Sequence, residues 1–435
     1  MSSVSEDVDR LTTLPDEVLS HILSLMPTRF AVKTSVLSKR WRYSWTLVPN
    51  LVFDDTRRAY DLDSLTKFVD HALKFHKSSQ VKLFRLNFSV IWVRRSSVLS
   101  WIDEAIKLNV QELDVRVIML EFPLSMLTCK TLTKLRLRCR NYEHSVWTFP
   151  CSVNLPCLKT LDIAVSSNPF SNAFKLIHGC PVLENLSLEV AWRNNKEDYI
   201  FNVPTLKRLK LSLLKCVSVI NNIVLNLPNL EYISLNGRMC SHYVMEDVSS
   251  LVEACVSFHQ LTFDYLWVEL LKGLSGVKSL SFQIVNSLFD FEIPFTLSLP
   301  VFPNLKHLKL ENFWHSEVTL KFLESSPELK HLCIVQASDY LVKPEYSDWI
   351  EPKLVPVCLL TNLTTIKFPE FKGKICDIGF LAYLLRNANF LKTVTVTWEN
   401  SKIEEETRVQ CAELLKLPRA SGCCEINLIP PQVRK

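Results

Sequence analysis

The stretch Val203-Pro204-Thr205-Leu206-Lys207-Arg208-Leu209-Lys210-Leu211 carries the pattern that decides the fold. Apolar residues alternate with basic ones in its second half, which is typical of a short β-strand with one buried face. Similar stretches recur along the chain, and many of them are introduced by a proline. The first apolar residues of five such copies, separated by 26, 25, 23 and 24 residues, are Leu132, Leu158, Leu183, Leu206 and Leu230. A period of this length predicts stacked repeats with one strand each.

The repeat pattern extends well beyond these five copies. Two further regular copies carry Leu305 and Leu329, and less regular copies begin at Leu83, Val110, Phe258, Val277, Leu363 and Phe390 or Leu391. The pattern resembles that of leucine-rich repeat proteins. It predicts a curved solenoid with a parallel sheet on its concave face, in which each chain segment between strands crosses back as a helix or an irregular segment.

The polar residues within each strand are candidates for a binding surface, because they alternate with the buried positions. Lys134, Arg136 and Arg138 form the most basic strand, which makes this strand the first candidate for contact with an acidic partner. The other candidates for target binding are Arg208, Lys210, Tyr232, His307 and Lys309. Any one of these residues is more often part of an ordinary solvated sheet face, so only a cluster of them indicates function.

The N-terminal segment has a different, helical pattern. Apolar residues between Leu14 and Met26 follow the one-sided spacing of an amphipathic helix, with Pro15 and two acids in its first turn. A second segment, from Val32 to Trp45, repeats the helical spacing. A unit of about 40 residues buries too little surface to fold robustly alone. We therefore expect part of its apolar surface to rest near residues 51–53 and 83–88, and part to meet another protein.

This segment resembles the plant-type F-box. The matching stretches are Asp9-Arg10-Leu11-Thr12, Leu14-Pro15-Asp16, Ile22-Leu23-Ser24, Leu25-Met26-Pro27-Thr28 and Leu37-Ser38-Lys39-Arg40-Trp41-Arg42. The departures are Leu11 and Thr12 at the usual Ile-Ser positions and Met26 inserted before Pro27. The resemblance implies docking onto the Skp-type adaptor of a cullin-RING ubiquitin ligase. It implies insertion of six residues into that adaptor, namely Leu14, Pro15, Ile22, Leu23, Leu37 and Trp41.

The repeat rhythm breaks near residue 340, at the polar stretch Lys343–Trp349. The segment that follows resembles the FBD region of plant F-box proteins through Phe371-Lys372-Gly373, Tyr383-Leu384-Leu385-Arg386-Asn387 and Leu417-Pro418-Arg419-Ala420, although the acid usual after the Gly is displaced to Asp377. Its pattern predicts strands at 366–368 and 394–398 and helices at 377–386 and 402–417. The predicted ranges are a disordered terminus (1–8), an F-box (9–50), leucine-rich repeats (51–340), a linker (341–354) and an FBD region (355–430).

The predicted fold class is therefore α/β: an N-terminal helical F-box, an irregular leucine-rich-repeat solenoid with a parallel concave sheet, and an α+β FBD cap. Composition indicates a globular protein, with 48% hydrophobic and 22% charged residues and a net charge of +5. The acidic start without an apolar core region is not typical of a secretory signal, so we expect a cytoplasmic or nuclear location, no membrane partner and mostly reduced cysteines.

Catalytic and cofactor motifs are missing from the sequence. The seven glycines form no phosphate-binding loop and no nucleophile elbow, and no C-x-x-C or H-E-x-x-H spacing suggests zinc. The basic cluster at 29–42 has few aromatic residues for stacking on bases, so we expect no nucleic-acid partner. The leading hypothesis is a non-catalytic substrate-recognition subunit of a ubiquitin ligase, without cofactor or metal, that binds an unknown protein substrate. The alternatives are a small-molecule-dependent receptor of the F-box repeat type and an F-box scaffold outside any ligase.

Overall fold

The structure is a computed structural model that describes fourteen segments of the chain. They are residues 14–54, 62–88, 93–118, 123–139, 153–165, 170–190, 198–213, 222–239, 241–261, 264–284, 298–311, 316–335, 351–398 and 413–429. The chain forms two compact units, residues 1–193 and 194–435. The predicted disordered terminus at 1–8 lies outside the described residues, and so does most of the predicted linker. Within the described segments, no helix combines the length and apolar character needed to cross a bilayer.

The N-terminal module consists of short helices. Helix α1 spans Asp16–Ser24 and α2 spans Thr28–Lys33, and each follows a proline at its N-cap position. Two 3₁₀ turns follow, at Thr34–Val36 and Ser44–Leu47. The helical spacing from Val32 to Trp45 therefore does not correspond to one continuous second helix. Trp41 and Trp45 reach the core from turns instead, while Val36 and Leu37 stay exposed.

In the first unit, six parallel strands form a sheet in sequence order. The strands are β1 (Asn50–Asp54), β2 (Leu83–Phe88), β3 (Glu112–Val117), β4 (Lys134–Cys139), β5 (Thr160–Val165) and β6 (Asn185–Val190). The intervening helices are α3 (Leu62–Phe75), α4 (Arg95–Lys107), α5 (Leu124–Leu127) and α6 (Phe170–His178). The strand-and-crossing repeat with parallel pairing predicted from the sequence is confirmed.

The second unit contains a longer parallel sheet and a small second sheet. Its strands are β7 (Tyr199–Asn202), β8 (Arg208–Leu213), β9 (Asn222–Asn226), β10 (Tyr232–Met239), β11 (His242–Asp247), β12 (Glu253–Leu261), β13 (Ser279–Ile284), β14 (His307–Glu311), β15 (His331–Val335), β16 (Thr365–Phe371), β17 (Thr393–Trp398) and β18 (Glu425–Ile429). Its helices are α7 (Asp264–Gly273), α8 (Ser316–Glu324), α9 (Val357–Thr361) and α10 (Ile375–Asn387).

The small sheet was not predicted from the sequence. Strands β7, β9 and β11 pair in parallel in the order β11-β9-β7, whereas the large sheet runs through β8, β10 and β12 to β18. Three consecutive crossings are thus strands rather than helices or irregular segments. Alternating burial explains them, because Tyr199, Phe201, Ile223 and Leu225 are buried while their neighbours are not.

The repeat positions lie in the core as the period predicts, with two corrections of register. Leu158, Leu183, Leu206 and Leu230 are fully buried. The copy assigned to Leu83 begins at Val81, because Leu83 is only half-buried and lies on the solvent side of β2. The copy assigned to Phe258 begins at Leu251, since Phe258 lies near the end of β12. At the last ambiguous position, Leu391 is buried and Phe390 is exposed.

The C-terminal region continues the sheet of the second unit. Strand β16 pairs in parallel with β15, β17 with β16 and β18 with β17. Strands β16 and β17 and helix α10 cover the predicted strands at 366–368 and 394–398 and the predicted helix at 377–386, so those three predictions are confirmed. Most of the predicted helix at 402–417 lies outside the described residues. Of the part that is described, residues 413–416 are helical. The region thus forms the α+β end of the sheet.

Candidate functional site

Some of the residues predicted to meet the adaptor form the core of the N-terminal module instead. Leu19, Leu23, Ala31, Trp41 and Val48 are buried together, and Leu14 and Trp45 pack against them. The exposed fraction is 0% for Leu23 and 4% for Trp41. Neither side chain has surface to insert into a partner, so their predicted role is corrected to that of core residues. Burying a large apolar side chain contributes roughly 1.5–3 kcal/mol to stability.

Hydrogen bonds fix this module to the first strand. The buried hydroxyl oxygen of Thr28 accepts a bond from the Val52 amide at 2.7 Å, and the Asn50 side-chain amide donates to the Ser24 carbonyl at 3.1 Å. The Lys77 amide donates to the Thr46 carbonyl at 2.8 Å. The expectation that one part of the module rests against the strand at 51–53 is therefore confirmed. On α1 itself, Val18 and Leu25 stay exposed.

Helix α1 has a second apolar face, which points away from the core. Leu19 and Leu23 are one turn apart on the buried face. Val18, Ile22 and Leu25, spaced i, i+4 and i+7, follow a neighbouring line on the helix surface. Val18 is 41% exposed and Leu25 is 74% exposed, while Ile22 is partly buried. We call Val18, Ile22 and Leu25 the outward stripe.

More exposed apolar residues lie in α2 and in the turns that follow it. Val36 is 87% exposed, Leu37 is 62% exposed, and Phe30 and Leu47 are also exposed. The structure thus places the predicted residues Leu37 and Pro15 at the surface. Sequence reasoning did not assign Val18, Leu25 or Val36 to the partner surface. Neighbouring residues of a helix are offset by about 100° around its axis. Val18 and Leu25 therefore cannot share the buried face of Leu19 and Leu23.

Three cationic residues of the module have defined contacts. The guanidinium of Arg29 lies 5.0 Å from the ring centre of Phe30, and the ammonium of Lys33 lies 5.9 Å from it. Arg40 donates to Asp16 at 2.6 Å, which joins the second segment to the first turn of α1. Two of these cations therefore lie beside Phe30 on the side of the module that faces the first repeat, and the third is paired with an acid.

The sheet of the first unit carries an alternating row of charges across four strands. Arg85, Asp114, Arg136 and Asp162 are aligned by the strand register. The guanidinium of Arg85 lies 3.0 Å from the Asp114 carboxylate, and that of Arg136 lies 2.8 Å from Asp162 and 3.5 Å from Asp114. Only 6% of the Asp114 side chain is exposed.

Two more arginines lie beside this row, each two residues further along its strand. Arg116 lies 3.4 Å from Asp114, and Arg138 lies 3.4 Å from Asp162. We call the six residues the arginine ladder: Arg85, Asp114, Arg116, Arg136, Asp162 and Arg138. Beside it, Lys134 pairs with Glu112 at 3.4 Å. The basic strand predicted to meet an acidic partner is therefore held by carboxylates of its own sheet, so its strongest interactions are internal.

The candidate residues of the second unit form two local clusters. In the first, Arg208 lies over the ring of Tyr232, with 4.2 Å from its guanidinium carbon to the ring centre, and the ammonium of Lys210 lies 5.9 Å from the same centre. The structure thus brings these three predicted residues together. The cation–π contacts hold the three side chains together and leave the N–H donors of Arg208 and Lys210 facing solvent.

The second cluster contains two imidazoles on neighbouring strands. His307 and His331 stack with their ring centres 4.4 Å apart, and His331 Nδ1 is 2.7 Å from the Thr365 hydroxyl. Burial lowers the pKa of His331, and the charges of His307, Lys330 and Lys367 lower it further. Lys309 pairs with Glu311 at 2.5 Å. Among the described residues, no group of three or more potential ligands is arranged to hold a metal ion.

A cavity of about 390 Å³ lies between the N-terminal module and the first repeat. Its lining combines apolar and polar side chains: Arg29, Val32, Lys33, Val52, Phe53, Asp54, Ser64, Leu65 and Phe68. A small-molecule receptor of the kind considered above requires a pocket ringed by Arg or Lys over the middle repeats. This cavity lies elsewhere, so it does not meet that requirement.

Comparison with known proteins gives matches along the whole chain. Family models match an F-box domain at residues 11–53, the leucine-rich repeats of FBD-associated F-box protein At5g56370 at 98–249, and an FBD region at 351–396. FBD-associated F-box protein At3g52670 of Arabidopsis thaliana is 30% identical and covers 96% of this chain and 97% of its own length. FBD-associated F-box protein At4g10400 of the same plant is 29% identical, covering 97% of this chain and 100% of the relative. F-box/FBD/LRR-repeat protein At1g78750 of Arabidopsis thaliana is 28% identical over 98% of this chain and 97% of the relative.

Proposed function

The chain belongs to the family of plant F-box proteins with leucine-rich repeats and a C-terminal FBD region, and from this we propose that it is the substrate-recognition subunit of an SCF-type cullin-RING ubiquitin ligase. In this role the F-box binds the Skp-family adaptor and the repeats bind a target protein. The chain itself does no chemistry and works in the cytoplasm or the nucleus. Its contribution to the reaction is to hold the target near the ubiquitin-carrying enzyme.

The single observation that carries the proposal is the outward stripe with its exposed neighbours. Seven exposed large apolar residues lie between Val18 and Leu47, a segment of about thirty residues. Contiguous exposed apolar surface marks protein-interaction sites in soluble proteins. The hydrogen bonds between Thr28 and Val52 and between Asn50 and Ser24 hold the opposite side of the module on the repeats. The stripe is therefore the side available to an adaptor.

Binding of a purified Skp-type adaptor tests this proposal. In the triple variant V18D/I22D/L25D, affinity should fall at least a hundredfold, because each buried interface anchor is worth about 2 kcal/mol or more. The matched control V182D/I200D/V301D changes three exposed apolar residues outside the F-box and should leave adaptor affinity unchanged. Circular dichroism checks that both variants keep the fold. Adaptor binding that survives the stripe variant would contradict the proposed interface.

Assembly with a cullin separates the ligase subunit from a scaffold that binds the adaptor outside any ligase. We expect the purified chain and adaptor to form a stoichiometric complex with the cullin on size exclusion. A stable pair of chain and adaptor that excludes the cullin would contradict the ligase role while leaving the adaptor interface intact.

A further inference from the structure

The sheet of the second unit carries a group of lysines with almost no acids among them. Strands β13 to β17 expose two kinds of position to solvent: the residue just before each strand, and every second residue within it. The lysines at these positions, called the lysine patch, are Lys278, Lys306, Lys309, Lys330, Lys367 and Lys392. The acids on these strands are Glu311, which pairs with Lys309, and Glu370, which is exposed near the end of β16. Within the described residues, the other five ammonium groups have no ion pair or hydrogen bond.

Backbone hydrogen bonds align three of these lysines side by side. The Lys306 amide donates to the Lys278 carbonyl at 2.9 Å, and the Lys330 amide donates to the Lys306 carbonyl at 3.0 Å. Neighbouring strands lie about 4.8 Å apart, so the row from Lys278 through Lys330 to Lys392 spans roughly 19 Å. Lys309 and Lys367 form a second row on the sheet face, two strands apart.

This arrangement places like charges on adjacent strands, which is unfavourable unless another charge offsets it. Glu253 on β12 and Glu425 on β18 lie on the strands that flank the patch, and Glu328 is exposed in the turn before β15. At the centre of the patch, burial lowers the pKa of His331, and the charges of His307, Lys330 and Lys367 lower it further. The local potential is therefore positive where His307 and His331 stack.

We propose that the lysine patch binds a carboxylate-rich segment of the target protein. The proposal rests on the function above, since it names the chemical class of the target that the repeats present. An extended segment of about six residues spans the patch, because a strand rises about 3.4 Å per residue. Alternate Glu or Asp side chains then face the lysine rows, and the polar Thr365 and Thr393 between them accept or donate hydrogen bonds.

The side-chain types favour carboxylates over the other polyanions. The patch contains no arginine, whose planar fork is the preferred partner of phosphate groups, and lysine acts as a hydrated point charge. Binding of single-stranded nucleic acid uses aromatic rings on which bases stack. The rings on the solvent-facing positions of these strands are His307 and His331, and they stack on each other.

A fluorescent peptide of ten glutamates, titrated with the full chain, tests the proposal without an adaptor. We expect binding that weakens as the salt concentration rises from about 50 to about 300 mM, because the screening length falls over this range. Affinity should fall at least tenfold in K278E/K306E/K330E. The matched control K74E/K130E/K175E makes the same change in net charge at exposed lysines outside the patch and should stay within about twofold of wild type.

Three outcomes would overturn the proposal. They are no binding of the glutamate peptide, equal loss in both triple variants, and binding of ten-residue oligothymidylate that is tighter than peptide binding and also lost in the patch variant. The last outcome would assign the surface to a nucleic acid. Adaptor binding, measured separately on the same preparations, shows whether the proposed function fails independently of the patch.

Discussion

The arginine ladder of the first unit and the lysine patch of the second unit are both rich in positive charge, yet they differ in how that charge is used. In the ladder, Asp114 and Asp162 stand between arginines in the strand register, and each guanidinium lies within 3.5 Å of a carboxylate. In the patch, Lys309 pairs with Glu311 and the Glu425 amide donates to the Lys392 carbonyl, whereas Lys278, Lys306 and Lys330 lie side by side with no acid between them.

The difference shows that counting charges along a strand does not identify a binding surface. Strand β4 is the most basic strand in the sequence, but its neighbours β3 and β5 supply the aspartates that fix it. The lysines at 278, 306 and 330 are less conspicuous, because 28 and 24 residues of sequence separate one from the next. Parallel pairing brings them together, and the same pairing supplies no acid between them.

The largest effect should follow from breaking the ladder at its buried carboxylate. Asp114→Asn removes the charge that holds Arg85, Arg116 and Arg136, and should lower the free energy of unfolding by about 2–3 kcal/mol. The arginines are partly exposed, which keeps the loss below that of a fully buried pair. Urea denaturation measures it, with Glu246→Gln as a surface control expected to change stability by less than about 0.5 kcal/mol. Equal stability of both variants would mean that the ladder is not structural.

A smaller effect should appear in the titration of His331. Replacing Lys330 and Lys367 with glutamine removes two of the charges that lower its pKa, so the pKa should rise. In the folded wild type this pKa lies below 6.5, the ordinary value. The unfolded chain therefore binds the proton first as the pH falls, and stability decreases below about pH 6.5 until the folded pKa is reached. Histidine NMR titration measures the shift, and an unchanged pKa would contradict a positive potential over the patch.

The smallest effect on stability should come from the patch itself. K278E/K306E/K330E changes exposed ammonium groups that have no acidic partner within the described residues. We therefore expect a change below about 0.5 kcal/mol in the free energy of unfolding. Thermal and urea unfolding of this variant, run beside Asp114→Asn, give the comparison directly. A loss as large as that of the ladder variant would show that the patch serves stability rather than binding.

The repeat pattern predicted much of the fold, because the buried leucines and the strand alternation are local signals. The sequence does not reveal that two repeats begin at Val81 and Leu251, because a shifted first residue resembles ordinary variation between repeats. It does not reveal the small sheet β7–β9–β11 either, because a strand between two repeat strands resembles an irregular crossing segment. The site was less predictable. Leu23 and Trp41 are as apolar as Val18 and Leu25, and only packing decides which of them meet the core. In the same way, strand register decides which cations find a carboxylate.

A binding experiment on one immobilised chain tests whether two separate surfaces join an adaptor to an acidic target. The adaptor and the ten-glutamate peptide are applied in turn to wild type, to V18D/I22D/L25D and to K278E/K306E/K330E. We predict that wild type binds both together, that the stripe variant loses only the adaptor, and that the patch variant loses only the peptide. Loss of both ligands from either variant, or retention of both by either variant, would contradict it.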